Sequence, residues 1–272
     1  GLATFSSALE RALVAQGHRV EIVRVDDGST PPPAGPRVAG VLVGGSPASA
    51  RRSAAILSKC DVAVIQPNAA WAEAHLAPLT AALQAVTGVS TVVKNGTGRS
   101  RGLEGLNEET VVLQGGIDAP VQVPMNGATY LADVTGGQKT GLFFDQRPNH
   151  AFAARLAQGA RVLDVFAHVG GFGLAALAGG ATSALAVDAS AAALALAGQG
   201  AALSGFADRF ATRQGDAFDV LEALGREGEQ FDLVICDPPA FAPAKPALEA
   251  GLRAYERVAR LAAPLVAPGG YL

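Results

Sequence analysis

The first feature of this sequence that suggests chemistry is a glycine cluster at the end of an apolar run. Val162 to Val165 leads through Phe-Ala-His-Val into Gly170-Gly-Phe-Gly173. Glycines permit a sharp turn and let the backbone approach a ligand closely, because no Cβ stands in the way. Asp188 follows at the end of the next apolar run, where a carboxylate can accept hydrogen bonds from both ribose hydroxyls. The pattern predicts a nucleoside site, although such turns also occur for packing alone.

Two more acidic residues follow apolar runs further along the chain. Asp216, in Gly-Asp-Ala217, stands where a carboxylate can read an adenine edge, and Asp237 begins the segment Asp-Pro-Pro-Ala-Phe241. Consecutive prolines stiffen a turn, and they would present the carboxylate and proline carbonyls at the edge of a sheet where open α/β folds bind ligands. The simpler reading of Pro-Pro is a strand terminator.

The elements that must position these residues alternate between strand and helix. Strands are predicted over 161–166, 183–187, 210–213, 231–236 and from 270 onward, with helices near 172–177, 191–203, 218–224 and 247–265. Strands separated by helices pair in parallel, so the fold class is α/β with a doubly wound, Rossmann-like sheet.

The residues before this sheet form two further segments. Residues 1–66 read as an α/β segment, with helices over 4–16 and 48–58 and strands over 19–25, 38–43 and 61–65. Residues 67–134 read as a small α+β domain. Its predicted elements are a helix over 69–86, a strand over 90–93, a loop over 94–101 and antiparallel strands over 110–113, 119–124 and 128–134. A polar stretch then leads to a helix near 151–158.

Taken together, residues 135–272 resemble the class I S-adenosylmethionine-dependent methyltransferases. The resemblance makes the glycine turn their first motif, Asp188 the ribose-binding acid, Asp216 the adenine contact and Asp237-Pro-Pro the catalytic loop. Dinucleotide dehydrogenases are the main competitor. The turn lacks a clean Gly-x-Gly-x-x-Gly, however, and Asp-Pro-Pro-x-Phe has no role in hydride transfer.

A narrower resemblance comes from Gly137-Gln-Lys-Thr-Gly-Leu-Phe-Phe-Asp-Gln-Arg147, which is similar to a signature of bacterial 23S rRNA methyltransferases of the RlmI type. With Val92 to Arg101 included, the resemblance covers about residues 60–272, and His168-Val169 departs from the commoner Tyr-Thr. It implies an enzyme that uses S-adenosyl-L-methionine to methylate cytosine C5. The implied donor site comprises Lys139, Thr140, Asp145, Gln146, Arg147, Asp164, Phe166, Gly170, Gly171, Phe172, Gly173, Asp188, Ala189, Asp216, Ala217 and Asp237. The implied catalytic residues are Asp237, Pro238, Pro239 and Phe241.

Cytosine C5 methylation requires a thiolate that first adds to C6. Cys236 is the only thiol near the motifs, but it lies in a predicted buried strand, and buried cysteines are usually inert. In the family that the chain resembles, the nucleophile lies beyond the strand that begins at Gly270. We therefore expect these residues to hold the donor site without the nucleophile. The alternatives are guanine or adenine N-methylation, with Phe241 stacking on an extruded base, and a donor-binding module without activity.

The amino-terminal residues resemble a different family. Gly1 to Leu13, Gly17 to Arg24 and Cys60 to Gln66 look like the first half-domain of GT-B glycosyltransferases. The hypothesis is that the chain joins two unrelated coding segments near residue 66. A divergent amino-terminal extension is the simpler reading.

Composition limits the remaining classes. The 272 residues are 49% hydrophobic and 17% charged, with a formal net charge of −3, which excludes wholesale disorder and argues against nucleic-acid binding by charge alone. Two cysteines provide no disulfide framework, so the cytoplasm is expected, and the histidines lack metal-ligand spacing. The expected partner is 23S rRNA, with a local phosphate-facing patch formed by Lys94, Arg99, Arg101, Lys139 and Arg147.

Overall fold

The computed structural model describes residues 22–26, 38–43, 61–67, 69–97, 99–136, 141–242 and 245–272. Contacts divide the chain into two compact units, one running to Asp118 and the other from Ala119 to Leu272. The predicted helices over 4–16 and 48–58 lie outside the described residues. The predicted division at 66 and 134 stays a prediction.

Two small sheets lie in the part of the first unit that the structure describes. Strands β1 (Ile22–Asp26) and β2 (Val38–Val43) form a parallel pair. Strand β4 (Thr91–Lys94) lies between β3 (Val62–Ile65), which is parallel to it, and β5 (Val111–Gln114), which is antiparallel. Three helices lie among these strands: α1 (Ala70–Ala74), α2 (Leu76–Thr87) and α3 (Arg99–Leu103).

Two expectations for this unit were wrong in detail. The helix predicted over 69–86 is broken at His75 into α1 and α2. Pro78 explains the break, because it has no N–H and its ring clashes with the carbonyl four residues earlier, so it is tolerated only in the first turn of a new helix. The loop predicted over 94–101 is also shorter than expected, since α3 begins at Arg99.

A charged cluster is buried beside α1 in the first unit. The Glu73 carboxylate accepts hydrogen bonds from Lys94 Nζ at 2.8 Å and from Arg101 Nη1 at 3.0 Å. Arg101 is fully buried, and it also donates to the carbonyls of Pro67 and Asn107. Both cations hold the pKa of Glu73 below its ordinary value. The expectation that Lys94 and Arg101 face phosphates was therefore wrong, because both side chains are buried in the protein and bonded to Glu73.

Replacing Glu73 tests how much this cluster stabilises the first unit. Glu73→Gln leaves two buried cations without a counter-charge, and we expect a loss of about 3 kcal/mol in the free energy of unfolding. Chemical denaturation measures the loss. Glu108→Gln removes an exposed carboxylate of the same unit and serves as the control. Equal denaturation midpoints for the two variants would contradict the prediction.

The second unit begins with a hairpin that precedes its main sheet. Strands β6 (Val121–Met125) and β7 (Ala128–Ala132) pair antiparallel across Asn126 and Gly127, which both have positive φ. This is the turn chemistry that tight hairpins require. A 3₁₀ turn at Phe144–Gln146 then leads into α4 (Arg147–Leu156). By its contacts the hairpin lies in the second unit.

The main sheet confirms the doubly wound α/β prediction. Its strands are β8 (Arg161–Val165), β9 (Ser183–Asp188), β10 (Phe210–Gln214), β11 (Phe231–Cys236) and β12 (Val266–Tyr271). They pair in parallel in the order β10-β9-β8-β11-β12. The connecting helices are α5 (Gly171–Ala178), α6 (Ala191–Leu203), α7 (Ala217–Glu227) and α8 (Leu248–Ala262).

The order of the strands places a crevice beside β8. The chain moves from β8 to β9 on one side and later returns to β11 on the other, so the crevice opens at the carboxyl ends of β8 and β11. Core residues such as Leu163, Leu221 and Leu265 fill the layer between the sheet and the helices.

The last strand starts four residues before the expected position, at Val266 instead of Gly270. The strand contains Pro268. Among the described strands, β12 pairs only with β11 and so lies at the edge of the sheet. An edge strand tolerates proline, because the N–H that proline lacks is not needed for a hydrogen bond on the open side. Across the described ranges, no helix has the length and apolar character needed to cross a membrane.

Candidate functional site

The connection between β8 and α5 contains three residues whose backbone is in the left-handed conformation. Phe166, His168 and Gly170 have φ values of 66°, 50° and 79°. Positive φ is unusual for side chains with a Cβ, and such strained residues cluster at functional sites. The amide of Ala167 donates to the Val187 carbonyl at 3.0 Å, and that of Gly170 donates to the Ala167 carbonyl at 2.8 Å. The glycine turn therefore reverses the chain directly above the ends of β8 and β9.

Gly171 is required by a close approach from α4. A Cβ at this position would lie 2.7 Å from Nε2 of His150, a buried ring that packs edge-on against Phe172 with centroids 4.5 Å apart. The Tyr130 hydroxyl of β7 donates to the Gly171 carbonyl at 3.1 Å. The turn is thus supported from behind by the hairpin and by α4.

Asp164 anchors the turn from below. Its Oδ2 accepts a hydrogen bond from the Gly173 amide at 2.8 Å, and its Oδ1 is buried with no hydrogen-bond partner. Burial raises the pKa of Asp164 to about 7, opposed by the amides of Gly173 and Phe172 and reinforced by the negative charges of Asp237 and Asp188. Burial therefore favours the protonated, uncharged form of this carboxyl.

Asp188 occupies the predicted position at the end of β9. Its Oδ2 accepts from the His168 amide and its Oδ1 from the Ser190 amide, both at 2.8 Å. Each carboxylate oxygen has a second lone pair, so Asp188 can still accept hydrogen bonds from a ligand. Burial lowers the pKa of His168, against the opposing attraction of Asp188, so this imidazole is neutral at pH 7.

Asp216 has a structural role that the sequence analysis did not assign. Its Oδ1 accepts from the amides of Phe218 at 2.9 Å and Asp219 at 3.4 Å, which makes it the N-cap of α7. The capped helix holds the carboxylate at the crevice. The predicted adenine contact stays a prediction.

The Asp237-Pro-Pro segment leaves β11 beside the glycine turn, and the Asp237 amide lies 3.4 Å from the carbonyl of Val165, to which it donates. Just before it, Cys236 packs against the core below the sheet edge. Burial raises the pKa of the Cys236 thiol to about 12, and the nearby Asp164 adds to the shift. The interpretation of Cys236 as an inert, structural cysteine is consistent with this environment.

These elements enclose a cavity of about 890 Å³ in the second unit. This volume falls within the range of about 300–1,000 Å³ that small-molecule sites occupy. Most of the predicted site residues line the cavity: Gln146, Phe166, Gly171, Phe172, Asp188, Ala189, Asp216, Ala217, Asp237, Pro238, Pro239 and Phe241.

The other predicted site residues either do not line the cavity or lie outside the residues that the structure describes. Asp164, Gly170 and Gly173 build the turn without appearing in the cavity wall. Arg147 is exposed at the start of α4, and Asp145 is described only by its backbone in the 3₁₀ turn. Lys139 and Thr140 lie outside the described residues.

Sequence reasoning missed several residues of the site. His150 and Phe143 line the cavity, and Tyr130 supports the turn from behind. The Phe143 ring meets the His168 ring edge-on, with centroids 5.1 Å apart. The spacing of His150 and Tyr130 along the sequence carries no signal, because their proximity arises from the packing of α4 and the hairpin on α5. Among the described residues, no cluster of His, Cys, Asp and Glu could hold a metal ion.

A parallel sheet with an acid-lined cavity at the carboxyl ends of its strands is the architecture of the ligand-binding α/β proteins. Comparison with known proteins identifies the family. A model described as S-adenosylmethionine-dependent methyltransferase matches residues 111–272. The chain belongs to this family. Because the match spans the whole sheet, the expectation of a class I methyltransferase fold is confirmed.

Curated relatives agree with this assignment, and solved structures share the fold. The chain is 37% identical over 218 residues to "Ribosomal RNA large subunit methyltransferase I" of Aeromonas salmonicida, covering 79% of this chain and 55% of the relative. The chain thus spans about half the length of the curated relatives it matches. A SAM-dependent methyltransferase structure from Streptococcus mutans superposes with a TM-score of 0.62 at 21% identity, covering 76% of this chain and 52% of that one. A methyltransferase solved with SAH gives 0.63 at 22% identity, covering 76% and 53%.

The residues of the cavity fit S-adenosylmethionine. The glycine turn forms a cradle that a Cβ at Gly171 would disrupt. Asp188 can accept from ribose hydroxyls, and the described lining contains carboxylates but no lysine or arginine, which suits a positively charged sulfonium.

The glycine cradle can be tested by adding a single methyl group. Gly171→Ala would push against the buried His150 ring, and we expect S-adenosylmethionine binding to weaken at least tenfold in calorimetric titration. Gly198→Ala is the control, since a Cβ there meets nothing within 4 Å and alanine is the better helix former in α6. Unchanged affinity in the Gly171 variant would show that the turn does not depend on this glycine.

The protonation of Asp164 predicts a pH dependence of stability. Its folded-state pKa of about 7 lies above the ordinary value, so the folded protein binds this proton more tightly than the unfolded chain does. Stability from this group is therefore fully present below the ordinary aspartate pKa of 3.8 and is lost as pH rises from there to about 7, at up to about 1.4 kcal/mol per pH unit. Asp164→Asn removes the titration.

Thermal unfolding at pH 5.5 and pH 8 measures this effect. The midpoint of Asp164→Asn, relative to that of the parent protein, should rise between the two pH values. The same comparison for Asp208→Asn, at an exposed aspartate, should show no change. A constant difference between parent and Asp164→Asn would contradict the raised pKa.

Proposed function

We propose that this chain is the donor-binding and catalytic part of a methyltransferase that acts on 23S rRNA of the large ribosomal subunit. The single observation that supports this most strongly is that Asp188 and the Asp237-Pro-Pro loop line the same cavity. A ribose-binding acid and a loop for the target base are then within one ligand's length of each other. The name of the Aeromonas relative supports the choice of RNA as substrate.

The residues divide the work of the reaction between them. S-adenosylmethionine supplies an electrophilic methyl group when it is bound. Asp188 orients the ribose, the turn from Gly170 to Gly173 accommodates the methionine part, and Asp216 contacts the adenine. Asp237 and the carbonyls of the prolines hold the target base. Catalysis results mainly from keeping donor and base in contact in the correct geometry.

Cytosine C5 is the proposed target atom, following the resemblance to the RlmI type. The thiolate for that reaction does not come from Cys236, whose raised pKa keeps the thiol protonated at neutral pH. Cys60 lies outside the described residues. We therefore propose that the nucleophile for C5 methylation is not among the described residues.

The alternative target is an exocyclic or ring nitrogen of guanine or adenine. This chemistry needs no thiol, because the Asp237 carboxylate can accept a hydrogen bond from an amine and leave its lone pair free to attack. The Phe241 ring lies in the cavity wall, where a base could stack, but it already packs against Phe166 and Phe218. A third alternative is a module that binds the donor without catalysis.

The place of action follows from the substrate. A ribosomal RNA enzyme is expected in the cytoplasm, and we propose that location. The described cavity lining has no lysine or arginine, so contacts to RNA phosphates must come from other parts of the protein.

The role of Asp188 provides a direct test of the proposed function. Asp188→Ala removes both acceptor oxygens for the ribose, and calorimetry should show S-adenosylmethionine affinity reduced at least tenfold. Asp208→Ala, at an exposed turn on the same sheet, should bind the donor like the parent. Full affinity in Asp188→Ala would contradict the assigned role.

The target atom needs a second measurement. We expect the full protein to transfer labelled methyl groups to 23S rRNA, and mapping of the modified nucleotide should place the methyl group on cytosine C5. A methyl group on a purine nitrogen would favour the alternative. Donor binding without transfer to rRNA would favour the inactive module.

A further inference from the structure

The Asp237-Pro-Pro-Ala-Phe241 loop has few backbone N–H groups with which to form hydrogen bonds. Residues 237–240 have no regular secondary structure, and the two prolines contribute no N–H. The Asp237 amide donates to the Val165 carbonyl at 3.4 Å, close to the limit for a hydrogen bond. A loop of this kind needs support from a neighbouring element to hold one conformation.

Tyr255 of α8 provides such support through its hydroxyl. The oxygen accepts a hydrogen bond from the Phe241 amide at 3.3 Å, and it donates to the Pro239 carbonyl at 3.4 Å. A single side chain is therefore bonded to the backbone on both sides of Ala240. Both bonds are long, so their combined geometry, not the strength of either one, restricts the loop.

The ring of Tyr255 adds a second contact to the same loop. It packs against the Phe241 ring with centroids 4.9 Å apart, and Phe241 in turn meets Phe218 at 6.0 Å and Phe166 at 6.2 Å. Aromatic pairs at these separations are attractive. The loop is held between Tyr255 of α8 on one side and Phe166, at the start of the glycine turn, on the other.

Close packing of α8 brings Tyr255 into position. Gly251 precedes Tyr255 by one helical turn and is buried, and a Cβ there would lie 2.6 Å from the Cβ of Ala242. The two residues share one face of the helix, since positions i and i+4 are neighbours. The missing Cβ at Gly251 lets α8 pack directly against Ala242, the residue that follows the loop.

We propose that Tyr255 is a positioning residue that holds the Asp237-Pro-Pro-Ala-Phe241 loop in the conformation in which it meets the target base. The inference rests on the proposed function for its consequence in catalysis, but the contact itself is a property of the fold. Tyr255 lies outside the cavity lining, so it acts on substrate through the loop. Asp237 and the proline carbonyls remain the groups that face the base.

Hydrogen–deuterium exchange of the folded chain tests the contact without any need for activity. Tyr255→Phe removes the hydroxyl and keeps the ring, so the Phe241 amide loses its acceptor. We expect exchange in the peptide spanning residues 237–242 to become about tenfold faster. Tyr271→Phe, at an exposed tyrosine of β12, is the matched control and should leave this peptide unchanged. Equal exchange in Tyr255→Phe and the parent would overturn the proposal.

A second variant separates the hydroxyl from the position of the helix. Gly251→Ala keeps the hydroxyl but pushes α8 away from Ala242. The same peptide should again exchange faster than in the parent. Faster exchange in Tyr255→Phe with parental exchange in Gly251→Ala would contradict the role given to the packing of α8.

The catalytic arm uses the full methyltransferase. Tyr255→Phe should lower kcat for rRNA about tenfold while the KM and the calorimetric Kd for S-adenosylmethionine stay at the parental values, because Asp188, Asp216 and the glycine turn keep their positions. A parallel loss of donor affinity would overturn a role confined to the loop. If the parent itself does not methylate rRNA, the proposed function fails, and the exchange experiment still decides the role of Tyr255.

Discussion

The site depends on one constraint, which is that the chain must reverse between β8 and α5 within a few residues. Phe166, His168 and Gly170 make this reversal by adopting left-handed backbone. For Phe166 and His168 this conformation carries a steric penalty, because each has a Cβ. The surroundings compensate for the strain, because Asp188 accepts from the His168 amide and Tyr130 donates to the Gly171 carbonyl. Residues distant in the sequence thus share one task, which is to keep the turn formed before any ligand arrives.

The same turn explains why two aspartates of one sheet behave differently. Asp164 lies below the turn, away from water, and its raised pKa reflects that burial. Asp188 lies at the rim of the cavity, where its two oxygens accept hydrogen bonds from the backbone amides of His168 and Ser190. One carboxyl therefore stabilises the backbone of the turn, and the other is available to a ligand. The two roles follow from position, since Asp164 lies inside β8 and Asp188 is the last residue of β9.

Much of this architecture could be predicted from local pattern. The strand from Phe231 to Cys236 and the helix from Ala191 to Leu203 have the predicted limits, because apolar runs and flanking polar residues set both ends. The motifs at strand ends converge because parallel strands point the same way. Contacts between distant segments could not be predicted. The packing of His150 behind Gly171 and the burial of Arg101 depend on tertiary neighbours, and neither leaves a periodic signal.

The burial of Lys94 and Arg101 also withdraws two positive charges from the surface of the first unit. Both cations are enclosed with Glu73 and add no positive charge to the surface. Between residues 61 and 118, the exposed Asp and Glu side chains that the structure describes are Asp61, Glu104, Glu108, Glu109 and Asp118, and no described Lys or Arg side chain in that range is exposed. Within this stretch, Lys94 and Arg101 are committed to an internal ion pair with Glu73. Their charges serve the packing of the unit, and neither side chain is open to contact by an anionic partner.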